Sequence, residues 1–144
     1  MNATEKPRIL FLCTHNAARS QMAEALLRHH GGDRFEAYSA GLEPTELHPL
    51  TRRVLEEADI DPTELRAKGM NEFMGKTRVR YAIVVCERAN EQCPRVYPFA
   101  TQTLFWPFED PGEAKGSTEE QLAVFRRVRD QIAARVRRFV LEGT

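Results

Sequence analysis

The chain has no hydrophobic run long enough to cross a bilayer, no surplus of charge of either sign, no internal repeat and no low-complexity segment. A membrane helix needs about 20 consecutive apolar residues, so a spanning segment is excluded. The first residues, Met1-Asn2-Ala3-Thr4-Glu5-Lys6-Pro7, lack the basic-then-apolar form of an export signal, and a cytoplasmic protein is expected. Lys and Arg together number 21, as do Asp and Glu, which argues against a general nucleic-acid or membrane-surface binder. Cysteine is scarce: three residues, an odd number, make no structural framework in a reducing compartment. They are reactive, ligating, or buried and inert. Cys86-x6-Cys93 is not a usual zinc spacing and no His pair completes it, so no metal site is expected.

What is present centres on Cys13-Thr14-His15-Asn16-Ala17-Ala18-Arg19-Ser20, after the apolar run Ile9-Leu10-Phe11-Leu12 and before an amphipathic stretch. The pattern implies strand, short loop and helix. The backbone N–H groups of such a loop can converge on a tetrahedral oxyanion. The same dipoles, with Arg19 and the Ser20 hydroxyl, are expected to favour the Cys13 thiolate and make the sulfur nucleophilic. Arg19 has the fork geometry to hold two oxygens of one anion. Asn16 suits a tight loop because its short amide tolerates unusual backbone angles.

At 144 residues the chain reads as one domain, 1–144, large enough for a core of its own. Arg8 to Leu12 reads as a buried strand and Ser20 to about His30 as the following helix. Ala23, Leu26, Leu27 and His30 lie on one face of that helix, and Gly31-Gly32 ends it. Phe35 to Ala40 is a second strand, and His48-Pro49 opens a helix whose buried stripe is Leu50, Val54, Leu55 and Ala58. Asp59 to Lys76 gives only weak turn signals.

Tyr81 to Val85, nearly all apolar and β-branched, is expected as a central parallel strand running straight into Cys86. Residues 87 to 100, interrupted by Pro94 and Pro98, are a short helix or loop, and Thr103 to Trp106 a fourth strand. The last helix begins at a capping box formed by Ser117 and Glu120. Leu122, Phe125, Val128, Ile132, Val136 and Phe139 make its core face, with arginines mostly on the other positions.

Strands alternating with helices imply an α/β single domain: a four-stranded parallel sheet with helices on both faces. Ligands of such sheets bind beyond the carboxyl ends of the strands. Cys13, Cys86 and the Phe108-Glu109-Asp110-Pro111-Gly112 loop all follow strand ends. Asp110-Pro111-Gly112 is ordinary turn chemistry, and the same carboxyl, one strand from the thiol, is a candidate general acid for an oxygen leaving group. Cys86 and Cys93, taken alone, are equally readable as idle thiols. On a continuous helix they would stand roughly 10 Å apart along the axis, beyond the reach of about 7 Å that a disulfide allows between Cα atoms.

Cys13-x5-Arg19-Ser20, Cys86-x6-Cys93-Pro94 and Asp110-Pro111, in this order and at these distances, resemble the thioredoxin-coupled arsenate reductases, which share the fold of the low-molecular-weight protein tyrosine phosphatases. The likeness extends over nearly the whole chain, through Ser20-Gln21-Met22-Ala23-Glu24, Tyr38-Ser39-Ala40-Gly41 and Phe125-Arg126-Arg127-Val128-Arg129-Asp130. It implies that Thr14 to Ser20 hold arsenate while Cys13 attacks it, with Asp110 helping an oxygen leave as water. It further implies that Cys86 attacks Cys13 to release arsenite, and that Cys93 moves the disulfide to Cys86–Cys93, where thioredoxin reduces it. Local unwinding between Cys86 and Cys93 then follows as an expectation. No bound cofactor is expected, thioredoxin being the electron donor, and the resemblance carries the expectation of a monomer.

The chain departs from that pattern in places. His15 stands where many relatives have glycine, and Ala18 where a cysteine is common. Some such reductases hold a potassium ion near the loop; Asn16, Glu24 and Ser39 match its surroundings, but the region around Gly69 lacks the acid, so no ion is expected. Two other readings remain open. A phosphotyrosine phosphatase needs Cys13, Arg19 and Asp110 but neither later cysteine, and usually carries aromatic residues just after Asp-Pro, where this chain has Gly112-Glu113. A non-enzymatic oxyanion or redox sensor is the third.

Overall fold

The computed structural model describes residues 6–73, 77–86 and 100–143. Four parallel strands, β1 (Arg8–Cys13), β2 (Glu36–Gly41), β3 (Val79–Val84) and β4 (Ala100–Phe105), form one sheet in the order β2-β1-β3-β4. Among the described residues three α-helices accompany them: α1 (Arg19–Gly31), α2 (Pro49–Glu57) and α3 (Thr118–Glu142). The α/β architecture with a four-stranded parallel sheet is the one the alternation implies. Strand β1 lies inside it, with Cys13 paired to Gly41 and Leu12 to Val84. Its side chains from Ile9 to Leu12 are fully buried, as an interior parallel strand requires.

Side chains of one face of the sheet meet α3. Phe139 contacts Tyr81 at 5.7 Å, Trp106 at 5.6 Å and Phe35 at 5.4 Å between ring centroids. On the other face Tyr38 packs on Phe73, next to the 3-10 turn Met70–Glu72. The expected stripe of α3 is buried at every position, and Ser117 and Glu120 form the reciprocal capping box.

Several boundaries move for physical reasons. β4 starts at Ala100 rather than Thr103, because Val79 pairs with Ala100 at the sheet edge, where Thr101, Gln102 and Thr103 are exposed and show no apolar run. α1 is buried well beyond its expected stripe, from Ser20 to Leu27, while His30 is only half-buried. In α2 the buried set is Thr51, Val54 and Leu55, with Leu50 and Ala58 half-buried. The expected loop or helix between Cys86 and Ala100 lies outside the described residues. Among the described residues no helix is long and apolar enough to cross a membrane.

Helices α2 and α3 are joined by Glu57, which accepts from Arg126 at 2.9 and 2.7 Å and lies 3.4 Å from Arg129. Hydrogen bonds from Arg126, with the charges of Arg126 and Arg129, hold the Glu57 carboxyl at about 2, well below the ordinary 4.5. Its folded-state value lies below its unfolded one, so this stabilisation is present above about pH 4.5 and is lost as the pH falls towards 2. Replacing Glu57 by Gln is expected to flatten the acid limb of a stability–pH profile in that window. Urea melts at stepped pH measure it.

Candidate active site

The loop from Cys13 to Arg19 is held from outside through its carbonyls. Those of Cys13, Thr14, His15 and Ala17 accept from the N–H groups of Leu42, Glu43, Thr45 and His48, at 2.8 to 3.1 Å. The Ala17 carbonyl also accepts from the Thr51 hydroxyl, that of Asn16 from Gln21 Nε2, and that of Ala18 from the Met22 N–H. With the oxygens engaged outward, the loop can present its amides inward, the arrangement that binds anions. The Asn16 N–H points at Cys13 Sγ, 3.2 Å away. At the start of α1, Ala18 supplies no capping side chain, which leaves the first-turn amides uncapped by their own neighbour.

Two residues permit the tight turn. Asn16 has φ 54, the left-handed conformation its residue type tolerates. Gly41, at the end of β2, runs so close beneath that a Cβ there would lie 2.9 Å from the backbone of Thr14, His15 and Asn16. Glycine at 41 therefore closes the strand against the loop rather than breaking it.

Asn16 is buried and its amide is fully committed. Oδ1 accepts from Gln21 Nε2 and from the Lys68 N–H, both at 2.8 Å, and Nδ2 donates to Ser20 Oγ at 2.7 Å. Because Ser20 Oγ accepts from Asn16, its own hydrogen is free to point to Cys13 Sγ, 2.8 Å away. Gln21 gives Nε2 to three oxygens, while its buried Oε1 has no partner among the described residues.

The expectation of a favoured thiolate is corrected by burial. Cys13 is almost wholly enclosed. Burial pushes its thiol up, and a nearby Cys86 charge adds to this; the Ser20 hydroxyl and amide, then Arg19, pull it down. Burial prevails. Of the groups expected to favour the thiolate, Ser20 lowers it most.

Arg19 turns toward the loop after β4. Its guanidinium donates to the Phe108 carbonyl at 3.1 Å and lies 3.4 Å from Asp110 Oδ2. The same Asp110 side chain accepts from the Gly112 N–H at 2.9 Å, so it serves the turn and faces the site together. That loop is pinned to the end of β3 by the N–H groups of Trp106 and Phe108, which donate to the carbonyls of Val84 and Val85. Cys86 is a buried free thiol whose sulfur lies 3.5 Å from Thr14 Oγ1.

Thr14, Arg19, Cys86 and Asp110 line one cleft of about 520 Å³, with His15, Glu109 and Glu113 around it. An adjoining hollow of about 300 Å³ exposes Cys13, Ala17 and Ala18 beside His48. The His15 ring lies 3.1 Å from the Glu43 carbonyl. Thus Thr14 to Ser20, Cys13, Cys86, Arg19 and Asp110 come together at one sheet edge. Cys93 lies outside the described residues.

Sequence reasoning missed His48 and Lys68 as parts of this region. His48 caps α2 with Nδ1, rests on Phe125 and is kept below its ordinary pKa by burial, against the pull of Asp110. Its place before Pro49 marked a helix start but not a site. Lys68 had no signal beyond its position before Gly69.

The dominance of Ser20 generates a test. In Ser20→Ala the thiolate loses its best donor, so the pH midpoint for iodoacetamide alkylation of Cys13 should rise, by about one unit. Mass spectrometry of the Cys13 peptide across pH reads the midpoint directly.

Comparison with known proteins agrees with this geometry. The family profile described as Low molecular weight phosphotyrosine protein phosphatase matches residues 8–142. The arsenate reductase of Bacillus licheniformis is 38% identical over 138 residues, covering 96% of this chain and 98% of the relative. A solved structure of an arsenate reductase in the phosphate binding state superposes with a TM-score of 0.80 at 27% identity, covering 96% of this chain and 99% of the other. The Corynebacterium glutamicum thioredoxin-dependent arsenate reductase gives 0.74 at 28% identity, covering 99% of this chain and 66% of its own. With its sequence matched almost end to end by the family profile and by a relative 38% identical, the chain belongs to the low molecular weight phosphotyrosine protein phosphatase family.

Proposed function

We propose that the protein reduces arsenate to arsenite through a relay of Cys13, Cys86 and Cys93 recharged by thioredoxin. The observation that carries this reading is the second free thiol: Cys86 stands at the end of the strand beside β1 and lines the same cleft as Arg19 and Asp110. Hydrolysis of a phosphate ester has no use for it. A two-electron reduction does, since two thiols becoming one disulfide supply the electron pair.

The steps balance as follows. Arg19 and the loop amides hold the oxyanion, and Cys13 Sγ forms a sulfur–arsenic bond as its thiol proton passes by way of Asp110 to one oxygen, which leaves as water. The Cys86 thiolate then attacks Cys13 Sγ: a sulfur–sulfur bond forms, the sulfur–arsenic bond breaks, and its electron pair leaves with arsenic as arsenite. Cys93 attacks Cys86, freeing Cys13 and leaving Cys86–Cys93. A dithiol, thioredoxin, reduces that pair and is itself oxidised. The arsenate reductases among the relatives, and the thioredoxin-dependent one among the structural neighbours, support this assignment.

Weak phosphatase activity is the second reading, favoured by the same Cys13, Arg19 and Asp110 arrangement. Glu109 and Glu113 line the cleft, and Gly112-Glu113 follow Asp110-Pro111 where phosphotyrosine phosphatases usually carry aromatic residues. Arsenate, a bare oxyanion, needs no such platform.

After one exposure to arsenate without reductant, mass spectrometry should find Cys86–Cys93 linked in the native protein and Cys13–Cys86 in Cys93→Ser. Free thiols throughout would overturn the relay. Arg19→Lys keeps the charge but loses the fork, and arsenate-dependent NADPH consumption with thioredoxin and its reductase should fall by about 10²–10³ in kcat/KM.

A further inference from the structure

Lys68 belongs to no regular element, yet its side chain is only 10% exposed. All of its donors have partners: Nζ lies 3.0 Å from the Arg66 carbonyl and 3.3 Å from both Glu24 Oε1 and Ser39 Oγ. Ser39 in turn donates to Glu24 Oε1 at 2.6 Å, and Arg28 takes the other Glu24 oxygen at 2.7 Å. The ammonium thus joins three parts of the fold, α1 through Glu24, β2 through Ser39 and its own segment through Arg66. A buried cation is tolerated only when matched in this way.

The main chain of the same residue reaches the catalytic loop. The Lys68 carbonyl accepts from Gly41 N–H at 2.8 Å, and the Lys68 N–H donates to Asn16 Oδ1 at 2.8 Å. From Asn16 the path runs to Ser20 Oγ and on to Cys13 Sγ. No periodicity or helix holds residues 66 to 69 in place. Among the described residues their attachments are the Gly41–Gly69 bridge, these main-chain bonds, the Glu72 N–H bond to the Gly69 carbonyl, the Arg66–Glu72 ion pair, the Gln21 bond to the Arg66 carbonyl and the lysine clamp.

We propose that Lys68 is a positioning residue for Cys13: its clamped ammonium docks its own N–H on Asn16, and Asn16 then keeps the Ser20 hydroxyl aimed at the sulfur. This rests on the reading of Cys13 as the nucleophile but not on the identity of the oxyanion. Lys68 does not act as a charge on the thiol. Among the charged and titratable groups of the described residues, Arg19 and Cys86 act on Cys13, and His15, His48, Asp110 and Glu113 share the hollow it lines, whereas those that face Lys68 are Glu24 and Arg28 from α1 and Arg66 from its own segment, the last paired with Glu72. Burial draws the Lys68 ammonium below its ordinary pKa and Glu24 restores part of it, in keeping with a cation held by fit.

The test compares Lys68→Met, of similar length and neutral, with Lys68→Arg, which keeps a cation. Both are first shown to be folded by circular dichroism and a thermal melt. The readout is the pH midpoint of Cys13 alkylation by iodoacetamide, followed on the Cys13 peptide. Lys68→Met should alkylate about tenfold more slowly at neutral pH, a midpoint shift of about one unit, and Lys68→Arg should keep most of the native rate. In a Ser20→Ala background the Lys68→Met change should add nothing, because the route through the hydroxyl is already cut.

A folded Lys68→Met with the native midpoint overturns the proposal, as does a full additional shift in the Ser20→Ala background. If Lys68→Met does not fold, Lys68→Gln, which keeps a donor for the Arg66 carbonyl, carries the same comparison. The midpoint is measured without arsenate. Failure of the arsenate reading would therefore show as absent NADPH consumption in the native protein, with the alkylation result standing by itself.

Discussion

One asparagine in a left-handed turn governs the rest of the site. Asn16 reverses the chain between the end of β1 and the start of α1, and its amide is the hub between Gln21, Lys68 and Ser20. A residue without that conformation would open the turn, and one without that side chain would take the acceptor from the Lys68 N–H and the donor from Ser20 Oγ. Loop shape and sulfur chemistry therefore share one cause. The Ser20 hydroxyl has a direction only because Asn16 claims its lone pair, and that direction ends on Cys13.

The sheet adds the second constraint. Parallel pairing puts the carboxyl ends of β1, β3 and β4 at one edge, so Cys13, Cys86 and Asp110, separated by many residues in sequence, meet around one cleft. The Asp110 loop is tied to β3 by main-chain bonds and to α3 by the Arg127–Glu109 ion pair at 2.7 Å, so the carboxyl keeps its place beside Arg19.

Much of this was legible in the chain. The motif from Cys13 to Ser20 carries its own context, strand before and helix after, and the core face of α3 follows from spacing alone. Asn16 could be expected to adopt an unusual angle because few other residue types do. Less legible were features set by contacts between distant residues. β4 begins early because its edge position keeps polar side chains in water, which erases the apolar signal. The thiol was expected as thiolate from the loop dipoles, Arg19 and the Ser20 hydroxyl, but enclosure by the fold outweighs them, and burial of a single atom has no sequence mark. Lys68 sits in a stretch with no periodicity, and its partner Glu24 is 44 residues away, so nothing local announces the pair.

Gly41 shows where the molecule has no latitude. The atoms that a Cβ at this position would strike belong to the main chain of Thr14, His15 and Asn16, so no repacking of neighbouring side chains can make room. Second-site suppressors, which commonly rescue crowded cores by trimming a bulky partner, have nothing here to trim. Redesign toward other oxyanions has its freedom at Glu109 and Glu113 on the rim, while residue 41 is closed to compensation.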